Sequence, residues 1–338
     1  MTTVYVNEQG AVVRKRGERL VVTKEDRELD QIRLVNLDQV VVVGNVQLTT
    51  PAVAKLMESN IDVIFLTRYY KYVARIVAYG SKNAGRRLAQ LKMMSDESQM
   101  LPVAKAVVIG KLTNQRVLMQ RQASVRGGGA AGAAMRQAID GIAAMRDGAA
   151  KAESLDSLRG YEGKGAAYYF AAVKALLDPR WGFQGRAYYP PPDPINAALS
   201  LGYALLLKDT MTAVQIVGLD PFLGFFHVIE EGRPSLPLDV MEEFRPVVVD
   251  SVVLAMVHEG RLTPADFVQT GDPKRPVQMS EAGMERLIEG YERRLQDETR
   301  HPVTGDKTTY RRCIEGQVWQ MAGIVEGRAK TYAPIMLR

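Results

Sequence analysis

The pattern of the chain changes near Gly80, and that change is the strongest constraint on its fold. Before it, short runs rich in Val, Ile, Thr and Tyr are separated by Gly, Asn and Asp. Strands are expected at 3–6, 11–14, 19–22, 31–34, 39–43, 62–66 and 72–77, with turns at Gly10 and Gly17. A single helix is expected over 50–58, capped by Thr49 or Thr50 with Pro51 in its first turn. After Gly80 strand signals almost vanish. Long stretches favour helix at 83–98, 101–125, 130–150, 158–177 and 195–211, from 236 or 239 to 257, at 280–296 and at 308–326. Breaks fall at RGGGAAG (126–132) and at YYPPPDP (188–194). The expected fold class is therefore α+β, with a small N-terminal β-sandwich-like domain (1–82) followed by a larger all-α domain (83–338). A chain of 338 residues, 46% of them hydrophobic, has enough length to bury two cores.

Charge and cysteine content narrow the function classes. Forty-four Lys and Arg against thirty-eight Asp and Glu give a net charge of +6, a lean toward a polyanionic partner. The one cysteine, Cys313, excludes an intrachain disulfide and a thiolate metal cluster, which suits a reducing cytoplasm. No apolar run of about 18 residues occurs, so a soluble, cytoplasmic protein that does not cross a membrane is expected.

The chemically richest stretch is DPFLGFFHVIEEGRPSLPLDVMEEFRP, Asp220 to Pro246. It sets His227 before Asp239, Glu242 and Glu243, which stand at i, i+3 and i+4 and would share one face at a helix start. Such a face must meet solvent, a basic partner or a metal. By residue type alone His227 is either a packed histidine between Phe226 and Val228 or a ligand. Glu162, in RGYEGKGAAYYF, is either a first-turn acid balancing a helix dipole or a further functional carboxylate. Gly127, Gly129 and Gly132 satisfy GxGxxG, but helix-like sequence on both sides lacks the strand that a dinucleotide site requires. An interhelical turn is the expected reading there, with Arg121, Arg126 and Arg136 offering contact with a phosphate backbone as the alternative. His258 and His301 lie in polar settings and are expected to be structural or superficial.

Three separated segments together resemble one family. RGYEGKGAAYYF around Glu162, PPPDPINAALSLGYALLL from Pro190 and GFFHVIEEGRPSLPLDVMEEFRP from Gly224 are similar to the marker segments of CRISPR-associated protein one, the integrase of spacer acquisition. The resemblance covers nearly the whole chain, and its segments come in the right order. It implies a metal site of Glu162, His227 and Glu242 holding Mg2+ or Mn2+, with Asp239 as a supporting acid and Asn196 in a structural role. It further implies a metal-dependent integrase and endonuclease that inserts short DNA fragments into a CRISPR repeat through attack by a 3′-hydroxyl. A homodimer formed through the β domain, and a complex with CRISPR-associated protein two, are implied as well. Lys105, Lys111, Arg116, Arg121, Arg245 and Arg293 are the candidate DNA contacts, Arg245 foremost because it adjoins the proposed ligands. A nuclease for branched DNA and a non-catalytic DNA-binding scaffold are the competing readings.

Overall fold

The computed structural model describes residues 3–25, 27–76, 83–126, 128–187 and 190–337. Two compact units result, Met1–Lys82 and Asn83–Arg338.

The first unit holds two four-stranded sheets. In one, β1 (Thr3–Val6), β5 (Gln39–Val43) and β7 (Asp62–Leu66) run parallel, and β8 (Tyr72–Ile76) closes the edge antiparallel to β7. The other is ordered β4 (Arg27–Arg33), β3 (Arg19–Lys24), β2 (Val12–Arg16) and β6 (Gln47–Leu48). Every residue of β5 is buried, which explains its unbroken VVVV run where a one-sided strand would alternate. Alternate residues of the two sheets, Val40, Val42 and Val63 from one and Val13, Leu20, Val22 and Ile32 from the other, form a shared core with Ala52 and Leu56 of α1 (Thr50–Glu58). Strand β4 begins four residues before its expected start, since its exposed RELDQ portion carries no burial alternation and is held by pairing with β3 alone.

The second unit is mainly helical: α2 (Ala84–Met94), α3 (Glu97–Arg126), α4 (Gly129–Ala150), α5 (Leu155–Leu176), α6 (Pro194–Val217), α7 (Ser235–Phe244), α8 (Ser251–His258), α9 (Glu281–Gln296) and α10 (Tyr310–Val325). Two small antiparallel hairpins accompany the helices, β9–β10 (Phe267–Gln269, Val277–Met279) and β11–β12 (Glu298–Arg300, Lys307–Thr309). The helix expected over 83–98 ends at Met94, because Asp96 turns its carboxylate onto the Ser98 N–H at 2.9 Å and starts α3. Helix α6 follows its sequence signals at its start, with Asp193 accepting from the Asn196 N–H at 2.9 Å and Pro194 in the first turn. Between α7 and α8 the helix continues through a π-helical stretch, Arg245–Asp250. Pro246 has no N–H for the carbonyl of Glu242, so the regular ladder cannot pass through that point.

Helices α3, α4 and α5 pack on one another, α3 also packs on α7, and α7 lies against α6. Among the described residues no helix is long and apolar enough to cross a membrane. Cys313 is buried, and burial pushes its thiol up to about 12.

Candidate active site

Three helices meet at Lys111, and one loop joins the cluster through Glu242. Its neighbours Ala104, Val107, Val108, Leu112 and Leu118 are buried, so α3 carries Lys111 inward on an apolar stripe, and the residue is only 7% exposed. Its ammonium ion pairs with both Glu162 of α5 and Glu242 of α7. Close approach of α3 and α5 makes this reach feasible. At Gly165 an added Cβ would collide with the Leu112 side chain, so the glycine permits the contact. Helix α5 starts at Leu155, three residues before its expected start, and is capped by Ser154, so Glu162 lies about two turns in and is not a first-turn acid.

Glu242 is 4% exposed and surrounded by positive charge. Arg245 Nε donates to its Oε1 at 3.1 Å, and His227 Nε2 lies 3.7 Å from the same oxygen. Oε2 is buried against Lys111 without accepting a hydrogen bond of good geometry. Burial opposes the charge on Glu242, yet Lys111, then Arg245 and His227, hold its carboxyl down at about 2. Burial likewise opposes the charge on Lys111, and Glu242 and Glu162 raise it above the ordinary lysine value.

His227 is carried by the irregular segment 219–234, and Asp239 fixes it there. Asp239 is fully buried and accepts the backbone N–H groups of Phe225 (2.5 Å), Phe226 (3.0 Å) and His227 (2.9 Å). Its Oδ1 also lies 2.6 Å from His227 Nδ1. An ionised carboxylate only accepts, so the imidazole proton belongs on Nδ1, and the Nε2 lone pair faces Glu242. Gly224 permits this wrap, since a Cβ there would come within 2.7 Å of Asp239 Oδ2 and 2.8 Å of the Ser235 backbone. The segment is tied down further by Gln90 Nε2, donating to the carbonyls of Asp220 (2.9 Å) and Leu223 (2.8 Å), and by Arg159 Nη2, donating to that of Phe226 at 3.0 Å.

The shared acidic face expected of Asp239, Glu242 and Glu243 is corrected by the structure. All three are buried and each has its own partners. Glu243 points away from Lys111 and accepts from Gln317 at 3.1 Å, from the Tyr332 hydroxyl and from the Ile335 N–H at 2.5 Å. With no cation among these donors, burial pushes Glu243 up to about 7. Farther along the same helical run, Asp250 accepts from Tyr203 (2.6 Å) and Tyr169 (2.8 Å), and burial pushes it up to about 6. Arg245 stacks on the Tyr203 ring with 4.5 Å to the centroid, linking Asp250 to Glu242 through one aromatic side chain.

The expected DNA contacts divide. Lys111 belongs to the buried cluster, and Arg245 braces Glu242. Lys105 and Arg116 are half-buried, while Arg121 and Arg293 are exposed. Asn196 is structural: its side chain donates to Asp193 (2.6 Å) and to the Gly185 carbonyl (2.9 Å) and accepts from the Ala187 N–H (2.9 Å). His301 accepts from two backbone N–H groups at 3.3 Å, and the Nε2 of His258 is buried without a partner in the described residues. Gly127 of the GxGxxG match lies outside the described residues; the segments on either side are helices α3 and α4.

The donor set suits a divalent cation in kind and direction. It offers two carboxylates and an imidazole nitrogen turned inward, with an ammonium already standing between the carboxylates as a cation would. Among the described residues no three His, Cys, Asp or Glu side chains form a ready-made metal shell. Lys111 keeps the carboxylates occupied.

Comparison with known proteins identifies the family of the chain. The family model described as CRISPR associated protein Cas1 matches residues 4–293. A CRISPR-associated endonuclease Cas1 of Thermus thermophilus is 37% identical over 99% of both chains. A Cas4 exonuclease/Cas1 endonuclease fusion of Rhodospirillum rubrum is 36% identical over 97% of this chain, which spans 56% of that relative's length. Among solved structures, a casposase bound to integration product superposes with a TM-score of 0.83 at 20% identity, covering 98% of this chain and 93% of that one. A Cas6-RT-Cas1–Cas2 complex gives 0.82 at 23% identity, covering 100% of this chain and 36% of that one. At such identities the two structures speak for the fold alone.

Proposed function

The chain belongs to the Cas1 family of CRISPR-associated proteins, and on that premise we propose that it is a metal-dependent DNA integrase and endonuclease of CRISPR adaptation. Its substrates in this reading are short DNA fragments with free 3′-hydroxyls and a CRISPR repeat. The observation that carries the proposal is the meeting of Glu162 and Glu242 at the buried Lys111 ammonium, with His227 Nε2 3.7 Å from Glu242 Oε1.

Glu162, His227 and Glu242 would hold Mg2+ or Mn2+, which when bound supplies Lewis-acid activation of a phosphodiester and a lowered pKa for the attacking hydroxyl. The protein's own part is preparation. Asp239 keeps the imidazole proton on Nδ1 and so keeps Nε2 available as a donor. Arg245 braces the Glu242 carboxylate, which is ionised at neutral pH. In strand joining, a bond forms from the fragment's 3′-oxygen to phosphorus as a bond from phosphorus to a 3′-oxygen of the repeat breaks, and the departing oxygen takes up a proton. With water as nucleophile the same exchange is hydrolysis, so integration and cutting share one site.

The names of the matched structures support strand integration and the Cas2 partner. A casposase has been caught on its integration product, and a Cas1 homologue occurs in a complex with Cas2. We further propose a homodimer formed through the β unit, Cas2 as partner and the cytoplasm as location. The test is joining of a 3′-hydroxyl fragment to a repeat-bearing plasmid, with Mg2+ or Mn2+ and with Cas2 present. Glu162→Ala, His227→Ala and Glu242→Ala are each expected to abolish joining while circular dichroism and DNA binding persist. Undiminished joining by all three variants would mark the protein as a scaffold. Cut strands without joined ones from the unaltered protein would mark it as a branched-DNA nuclease.

A further inference from the structure

We infer that Lys111 is a place-holding cation: its ammonium keeps Glu162 and Glu242 assembled in the metal-free protein and must be displaced when a divalent ion enters. The inference rests on the proposed metal site and extends it to a residue outside the ligand set.

Three observations carry it. Lys111 is the cation that touches both acids, and its side chain is 9% exposed against 20% for Glu162 and 5% for Glu242, so water screens the cluster weakly. Helix α3 holds Lys111 on its buried stripe, between Val108 and Leu112 on one side and Leu118 on the other, so the ammonium is delivered by a packed element. Glu242 Oε2, a lone-pair-bearing atom buried in the cluster, contacts Lys111 without hydrogen-bond geometry. An oxygen paired with a single ammonium can exchange that cation for another.

The consequences follow from charge. Without a cation between them, two carboxylates in a poorly hydrated space repel, so Lys111 stabilises the empty site. A divalent ion entering the same space faces that ammonium in addition to the fixed charge of Arg245, so Lys111 weakens metal affinity. Its flexible four-carbon stem, unlike a planar guanidinium, allows the head to withdraw while α3 stays in place. Lys111 is thus a positioning residue that trades metal affinity for an assembled empty site.

The experiment compares the unaltered protein with Lys111→Met, which keeps an unbranched stem and removes the charged head, by calorimetric titration with MnCl2 after chelation and by thermal unfolding without metal. Lys111→Met is expected to bind Mn2+ about tenfold more tightly, to unfold at lower temperature when metal-free, and to gain more from saturating Mn2+ than the unaltered protein does. Equal or weaker Mn2+ binding by a folded Lys111→Met protein overturns the inference. If Lys111→Met does not fold, Lys111→Gln, which retains hydrogen-bond donation without charge, carries the same expectation and the same refutation. Absence of Mn2+ binding in the unaltered protein and both variants instead overturns the metal site itself, and the place-holder role with it.

Discussion

Glu242 and Glu243 are consecutive on α7, both buried, and they face opposite regions with opposite chemistry. On one side Glu242 meets Lys111, Arg245 and His227 and stays ionised, at about 2. On the other Glu243 meets an amide, a phenol and a backbone N–H, and burial lifts it to about 7. Burial is common to both, so what separates the two residues is whether charge or neutral hydrogen bonding compensates it. The cationic side is suited to binding and chemistry. The neutral side anchors the C-terminal segment, where Asn114 also donates to the carbonyls of Glu243 (2.8 Å) and Ile335 (2.9 Å) and accepts from the Leu337 N–H (2.7 Å).

The sharpest way to break that contrast is to neutralise each acid in turn. Glu242→Gln should cost about 10³-fold in strand joining with the fold retained, because it removes a proposed ligand while Lys111 still holds Glu162. Glu243→Ala should do the reverse, lowering unfolding free energy by about 3 kcal/mol as three buried donors lose their acceptor, while joining per folded molecule is kept. Parallel denaturant melts and joining rates decide the matter; two variants with the same profile would erase the distinction between the two sides.

Asp239→Asn tests how the cationic side is aimed. The amide can present its NH2 group to His227 Nδ1, which favours the wrong tautomer and points the proton of Nε2 toward Glu242. A loss of about 10–100-fold in Mn2+ affinity is expected by calorimetry. Asp250 extends the comparison to pH. Its carboxyl ordinarily titrates at 3.8 and is raised to about 6 in the fold, so the folded state holds the proton more firmly between those values. Its contribution to stability is complete below about pH 4 and declines as pH rises to about 6, by on the order of 2 kcal/mol. Asp250→Asn should flatten that part of the stability curve in chelator-treated protein, whereas an unchanged slope would place the titration elsewhere. The smallest effect is expected at exposed Arg293. Arg293→Ala should weaken DNA binding modestly and equally for all sequences, and reduce the slope of log K against log salt by about 1.

The division of labour along the chain is largely legible in its sequence. Short Val-rich runs before Gly80 became the two sheets, and the helical stretches after it became α2 to α10, with ends shifted by a few residues. The acids of α7 were legible as a group, but i, i+3, i+4 spacing fixes only direction on the helix. It does not reveal that Gln317 and Tyr332 approach one flank while Lys111 approaches the other. Residue type alone makes Lys111 a candidate DNA contact. A signal was present: positions 104, 107, 108, 111, 115 and 118 form one helical stripe, five of them uncharged, and a lysine there must meet a buried acid. The Lys208, Asp209, Arg311 and Glu292 network inside LLLKDTMTAVQIV and its neighbours was hidden for a different reason. Its partners come from α6, α9 and α10, and no local pattern joins residues so far apart. The Asp239 clasp on Phe225 to His227 was similarly invisible, since backbone N–H groups leave no mark in a sequence.

The central claim is that Glu162, His227 and Glu242 hold one divalent ion in the space Lys111 spans. Crystals grown with Mn2+ test it most directly, by anomalous scattering at the manganese edge. The account predicts one strong peak per chain, in bonding contact with Glu162, Glu242 and His227 Nε2, with the Lys111 ammonium moved off at least one carboxylate. A Mn2+-saturated crystal with Lys111 still bridging Glu162 and Glu242, and no peak among these residues, would contradict it.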